Sequence, residues 1–327
     1  MMRLRSLGLT IALVPGLLSA PLAAAAQPAG KVPRVGVLYL GGSEPLSSRM
    51  EAFRRGLREH GYVEGTNVAI DIRYAEGKTE RLPELAAELV RLNLNVISTS
   101  GDLATRVVQQ ATATIPIVAF TGDLVGAGLV ASLARPGGNT TGVSIFSPEL
   151  NVKRLELLKA AVPKASRVAI LWDPATGRSQ LVAMEAAARV LAVRLQILEV
   201  RSPDDFERAF QMARKERARA LNVLASPFLA AYSQTIISLA ARNRLPAIYQ
   251  WREHAEAGGL MSHGPNLLET WRQTAYLVGK VLKGAKPADL PVEQPTRFEL
   301  VVNMRTAKAL GLTIPPSILV RADQVIQ

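Results

Sequence analysis

The chain has 327 residues, no cysteine, and 39 Lys and Arg against 27 Asp and Glu, a formal charge of +12. The absence of cysteine excludes disulfides, thiolate metal sites and a lipid-bearing cysteine. The basic excess does not read as a nucleic-acid surface: cations lie singly or in pairs along helices with Glu nearby, as in Arg54/Arg55/Arg58, and no aromatic-plus-basic strip occurs.

In chain order, Arg3 and Arg5 precede an apolar run over 7–18 broken by Pro15, then the small residues 23–26. That order predicts a secretory signal peptide over 1–26, cut after Ala26. The run is shorter than the about 20 apolar residues of a membrane span. The mature chain then keeps 301 residues with a charge of +10, soluble in the periplasm and without a lipid anchor. Its size exceeds what one core usually supports, so two lobes are expected.

Residues 34–40 (RVGVLYL) read as a buried first strand. Ser48 and Glu51 have capping-box spacing, which predicts a helix from there to Gly61. Residues 68–74 alternate in polarity, as in a half-exposed edge strand. A helix over 81–92, a strand over 95–98, a helix over 102–111 and a strand over 115–120 follow. A second series starts after 142–145, with Ser147-Pro148 opening a helix. Strands are expected at 167–172, 194–199, 220–224 and 245–249, separated by amphipathic helices. In the tail, 259–262 is a short strand, a long helix ends at Gly284, a Pro-rich link spans 286–295, and strand 298–302 precedes a helix ending at Gly311.

This alternation predicts an α/β fold of two doubly wound parallel-sheet lobes. Lobe 1 covers 31–145 plus 255–287, and lobe 2 covers 146–250 plus 295–327. Three crossings join them, near 142–147, 250–257 and 287–296.

No catalytic constellation emerges. The three histidines, His60, His254 and His263, lack zinc-site spacing. There is no nucleophile elbow and no phosphate loop, and Gly122, Gly126 and Gly128 do not fit a dinucleotide fingerprint. The chain is therefore read as neither an enzyme nor a carrier of a cofactor or metal. What remains is polar loops at strand C-termini, where open α/β sheets bind ligands. They are Gly42 and Ser43, Ser100, Gly101 and Asp102, then Thr121, Gly122 and Asp123 in lobe 1, with Asp173 and Ser226 in lobe 2. Trp172, Tyr249 and Trp251 are candidates for stacking on a ligand, against ordinary core packing. Asp123, Asp173 and Glu253 are candidates to neutralise an ammonium group, although helix capping competes at Asp123 and Asp173. The 100–102 and 121–123 loops are expected to hold an anionic ligand group through helix-start N–H donors.

Several long segments, among them 52–77, 81–97, 128–142, 245–265 and 306–326, resemble a bacterial family of extracellular substrate-binding proteins of ABC transporters, which includes the tryptophan-binding TrpX-type proteins. The resemblance covers nearly all of 31–327. It implies a type I periplasmic-binding-protein fold, an inner-membrane ABC permease as partner, and an amino-acid-like ligand. The family often has Asp-Pro where Asp123-Leu124 stands, Asn-Pro where Asp173-Pro174 stands, and Tyr in place of His263. The expected function is a monomeric solute receptor whose lobes close on a small molecule. A sensory partner of a membrane receptor and a secreted α/β enzyme are the alternatives.

Overall fold

The computed structural model describes residues 32–327, without the side chains at 43–46. The expected signal peptide lies outside the described residues. The first series runs β1 (Arg34–Tyr39), α1 (Ser43–Arg58), β2 (Ala69–Tyr74), α2 (Leu82–Arg91), β3 (Val96–Ser100), α3 (Asp102–Ala111), β4 (Ile117–Thr121) and β5 (Thr140–Ser144). Its strands form a wholly parallel sheet in the order β2-β1-β3-β4-β5. The second series runs α4 (Ser147–Ala161), β6 (Arg167–Trp172), α5 (Ser179–Val190), β7 (Arg194–Glu199), α6 (Asp205–Lys215), β8 (Ala220–Val223), α7 (Pro227–Ala231), α8 (Ser233–Arg242), β9 (Ala247–Tyr249), α9 (Arg252–Glu256) and β10 (Met261–Pro265). The tail adds α10 (Leu267–Leu282), β11 (Phe298–Asn303), α11 (Met304–Ala309), α12 (Pro316–Leu319) and β12 (Gln324–Ile326). The second sheet has the order β12-β11-β10-β9-β8-β6-β7 and is parallel except for the β10–β11 pair.

Strand alternation divides the packing of the first sheet. Val35, Val37 and Tyr39 meet Phe53 and Leu57 of α1 and Trp271 and Val278 of α10, while Leu38 packs with Leu82, Leu85 and Leu89 of α2 on the other face. Helices α1 and α10 approach closely at Gly56. A Cβ there would overlap the carbonyl oxygen of Arg272 and stand 2.8 Å from the Cβ of Ala275. Gly56→Ala is therefore expected to destabilise the chain by about 1–3 kcal/mol through overpacking, although alanine is the better helix former by about 1 kcal/mol. Urea unfolding checks this; a stabilised variant would contradict the close approach.

Two expectations are corrected. Strand β10 belongs to the second sheet, paired with β9 and β11, so residues 261–265 do not return to the first. The chain still passes between the sheets three times, but the second passage is at Asn266, between β10 and α10. The third comes after Glu293, which bridges to Val143 at the edge of the first sheet. Helix α1 starts at Ser43, not at the Ser48/Glu51 capping box. Pro45 falls in its first turn, where its missing N–H costs nothing. Among the described residues, no helix is long and apolar enough to cross a membrane.

Candidate ligand-binding cleft

The C-terminal ends of strands from both sheets line one cleft of about 730 Å³, a volume that includes its open mouth. One wall is polar. Ser100 ends β3, and Gly101 and Asp102 start α3. The turn is fixed from behind, where Thr105 Oγ1 donates to the Gly101 carbonyl at 2.8 Å and lies 2.7 Å from Thr99 Oγ1. Gly101 has φ +94°, and a Cβ on it would overlap Pro227, the first residue of α7. The two halves of the molecule thus touch at a glycine. Asp102 Oδ1 and Ser147 Oγ are buried at this wall and have no hydrogen-bond partner, and the Thr121 hydroxyl is buried beside the Asp102 carboxyl. Burial, reinforced by the charge of Asp123, pushes the Asp102 carboxyl up to about 7. Asp123 Oδ1 accepts from the Gly126 amide at 2.8 Å.

The other wall is aromatic. Phe120 lies 6.0 Å from Trp251 and 6.3 Å from Trp271, and Tyr39 lies 5.9 Å from Trp271, all edge-on. Arg49 of α1 is placed over the Tyr39 ring, with 5.5 Å from Cζ to the centroid, and donates to the Tyr39 hydroxyl. Trp271 Nε1 is buried without a partner.

On the second sheet's rim, Ser226 Oγ caps α7 by accepting from Phe228 and Leu229 amides at 3.0 and 3.2 Å. It also donates to Asp173 Oδ2 at 2.6 Å. Asp173 Oδ1 accepts from the Ala175 amide at 2.9 Å. Burial raises its carboxyl against the lowering effect of the Ser226 bond. Gln180 is likewise consumed: its Oε1 accepts from Asn151 and Ala225, and its Nε2 donates to the Ala225 carbonyl.

Of the residues expected at the site, Ser100, Gly101, Asp102, Thr121, Gly122, Asp123, Ser226 and Trp251 line the cleft. Five do not. Trp172 packs with Val168 and Ile170 in the second sheet's core, its Nε1 donating to the Gly177 carbonyl. Tyr249 is fully buried, edge-on to His254 at 5.6 Å. Asp173 is a cap that holds Ser226. Glu253 is exposed on α9, and Gly42 precedes α1 without facing the cleft. The side chain of Ser43 lies outside those described. Sequence reasoning missed Tyr39, Arg49, Phe120, Ser147, Gln180 and Trp271. Tyr39 and Phe120 carried a signal, since each stands at or next to a strand C-terminus.

A family model described as ABC transporter substrate binding protein matches residues 34–326. The chain is 27% identical over 288 residues to a tyrosine-binding protein of Clostridioides difficile, covering 86% of this chain and 82% of the relative. It superposes with a TM-score of 0.84 on a Streptococcus pneumoniae ABC domain in complex with L-Trp, at 28% identity over 90% of this chain and 100% of the other. A conserved domain protein of Vibrio cholerae matches at TM-score 0.85 and 28% identity, with the same coverage. The type I periplasmic-binding-protein fold expected from the sequence is the fold observed.

Proposed function

The chain belongs to the ABC transporter substrate-binding protein family, and from that premise we propose that it captures an aromatic amino acid in the cleft and delivers it to an inner-membrane permease. The observation that carries this is the pairing of two walls. Asp102 Oδ1 and Ser147 Oγ are buried and unpartnered on one side, with the Thr121 hydroxyl beside them, and four aromatic rings stand on the other. Buried polar atoms without partners are costly, and a ligand's charged head group satisfies them. The start of α3 and the hydroxyls suit the carboxylate, and Asp102 suits the ammonium. The rings suit an apolar planar side chain. The tyrosine-binding relative and the L-Trp complex support the same class.

Binding without chemistry fits this site: Ser226 Oγ, the hydroxyl held by the Asp173 carboxylate, is spent as the cap of α7. The two sheets with their helices act as lobes that hinge at the three passages and close on ligand. The Gly101–Pro227 contact is where the closed lobes meet. The signal-peptide pattern in the sequence over 1–26 supports secretion to the periplasm.

Calorimetric titration with L-tyrosine and L-tryptophan tests the reading. Wild type should bind at least one of them with a Kd of about 10 μM or tighter. Gly101→Val, whose side chain would strike Pro227, should weaken binding at least about 100-fold while circular dichroism shows the fold retained. No heat with either amino acid, or unaltered affinity in the variant, would sink the proposal.

A further inference from the structure

Trp271 Nε1, the Arg49 guanidinium and the Tyr39 hydroxyl bring N–H and O–H donors to the aromatic end of the cleft. Trp271 is 3% exposed, and its Nε1–H, which cannot accept, has no partner. Arg49 presents five N–H groups and uses one of them on the Tyr39 hydroxyl. That hydroxyl accepts from Arg49 and keeps its own proton, because burial raises the phenol despite the adjacent guanidinium. Among the described residues no carboxylate forms an ion pair with Arg49. Glu253 is near enough to feel its charge but does not bond to it. An unneutralised guanidinium on an apolar wall, beside an orphaned indole N–H, is complementary to an oxygen acceptor and not to bare hydrocarbon.

Resting on the amino-acid reading above, we infer that Arg49 and Trp271 make the cleft selective for ligands whose aromatic ring carries a hydrogen-bond acceptor. A phenol oxygen and a ring carboxylate share this chemistry. A plain phenyl ring enters the same space but leaves the donors unpaired, and sites built to hydrogen-bond a substrate oxygen reject the analogue lacking it far more strongly than apolar pockets reject a missing methylene.

Calorimetry with L-phenylalanine, L-tyrosine and 4-carboxy-L-phenylalanine on wild type, Arg49→Met and Arg49→Gln tests this. Wild type should bind L-tyrosine at least about tenfold more tightly than L-phenylalanine. A ring carboxylate that binds tighter still would identify an anion as the preferred acceptor; one that binds more weakly than the phenol, yet above phenylalanine, would identify a neutral oxygen. In Arg49→Met the ratio of tyrosine to phenylalanine affinity should fall to about threefold or less, whatever the absolute values. Arg49→Gln, which keeps a donor without the charge, should retain more of the phenol preference than of any carboxylate preference. Equal wild-type affinities for phenylalanine and tyrosine, or an unchanged ratio in both variants, would overturn the inference while leaving the amino-acid reading in place. Absence of binding by all three probes would overturn this inference, and the amino-acid reading with it where L-tryptophan also gives no heat.

Discussion

Truncation of Arg154 to alanine is expected to destabilise the folded chain by about 3–5 kcal/mol. The side chain rises from α4 and is fully buried. Its Nη1 donates to the His263 carbonyl at 2.9 Å, and its Nη2 donates to Asn151 Oδ1. Nε has no partner, and among the described residues no carboxylate pairs with the charge. Burial lowers the guanidinium to about 9, so it is still charged at neutral pH. The Asn151 that it holds donates to Gln180, which clamps the Ala225 backbone beside Ser226 on the cleft rim. Alanine leaves a large cavity and strips two acceptors of a donor. Arg154→Met fills most of the volume and removes an expensive buried charge, so it should cost at least about 1–2 kcal/mol less than alanine. Urea unfolding of both variants checks the order. An alanine variant within about 0.5 kcal/mol of wild type would contradict the burial.

The elements most legible from sequence were those bounded by local chemistry. Strands β6 and β7 are continuous apolar or alternating runs with clear ends, and α3 begins where Asp102 follows a glycine; all three were readable to the residue. The sheet membership of β10 was not, because pairing with β9 and β11 is a long-range choice that a five-residue strand does not encode. The amphipathic pattern between the strands at 220–224 and 245–249 does not show the break at Tyr232 that separates α7 from α8.

The same division holds at the cleft. Ser100 to Asp102, Thr121 to Asp123 and Ser226 were found by the strand-end rule, which needs only local order. Arg49 and Trp271 come from the bodies of α1 and α10, and which face of these helices meets the cleft depends on how they pack against each other and the sheet. Trp172 was legible as core: it shares a strand face with Val168 and Ile170 at a period of two. The strand-end rule placed it at the site, and the alternation rule placed it correctly. At Asp173 the carboxylate serves as a cap, tied to Ser226 and Ala175, so its chemistry is spent inside the protein.

Asp102→Asn is expected to stabilise the ligand-free protein by about 2–4 kcal/mol at pH 8 and by little at pH 4. The carboxyl stands at about 7 in the folded chain against 3.8 for the free group, raised first by burial and then by Asp123, with the Gly122 amide, Arg106 and the Thr121 hydroxyl opposing. A folded value above the unfolded one means that the folded state binds the proton more tightly. Asp102 therefore leaves stability intact below about pH 4, and its penalty grows as pH rises through about 7. Asparagine never ionises, so the penalty disappears and the two proteins diverge as pH rises from about 4 to about 7, with a constant gap above that. An ammonium docking against Asp102 would do the opposite, favouring the ionised form, so affinity for an amino acid should rise between pH 5 and 8 in wild type and stay flatter in the variant. Urea unfolding at the two pH values, paired with calorimetry, reads both effects. A stability difference that is the same at pH 4 and pH 8 would show that Asp102 does not titrate in this window and would remove it as the ammonium partner.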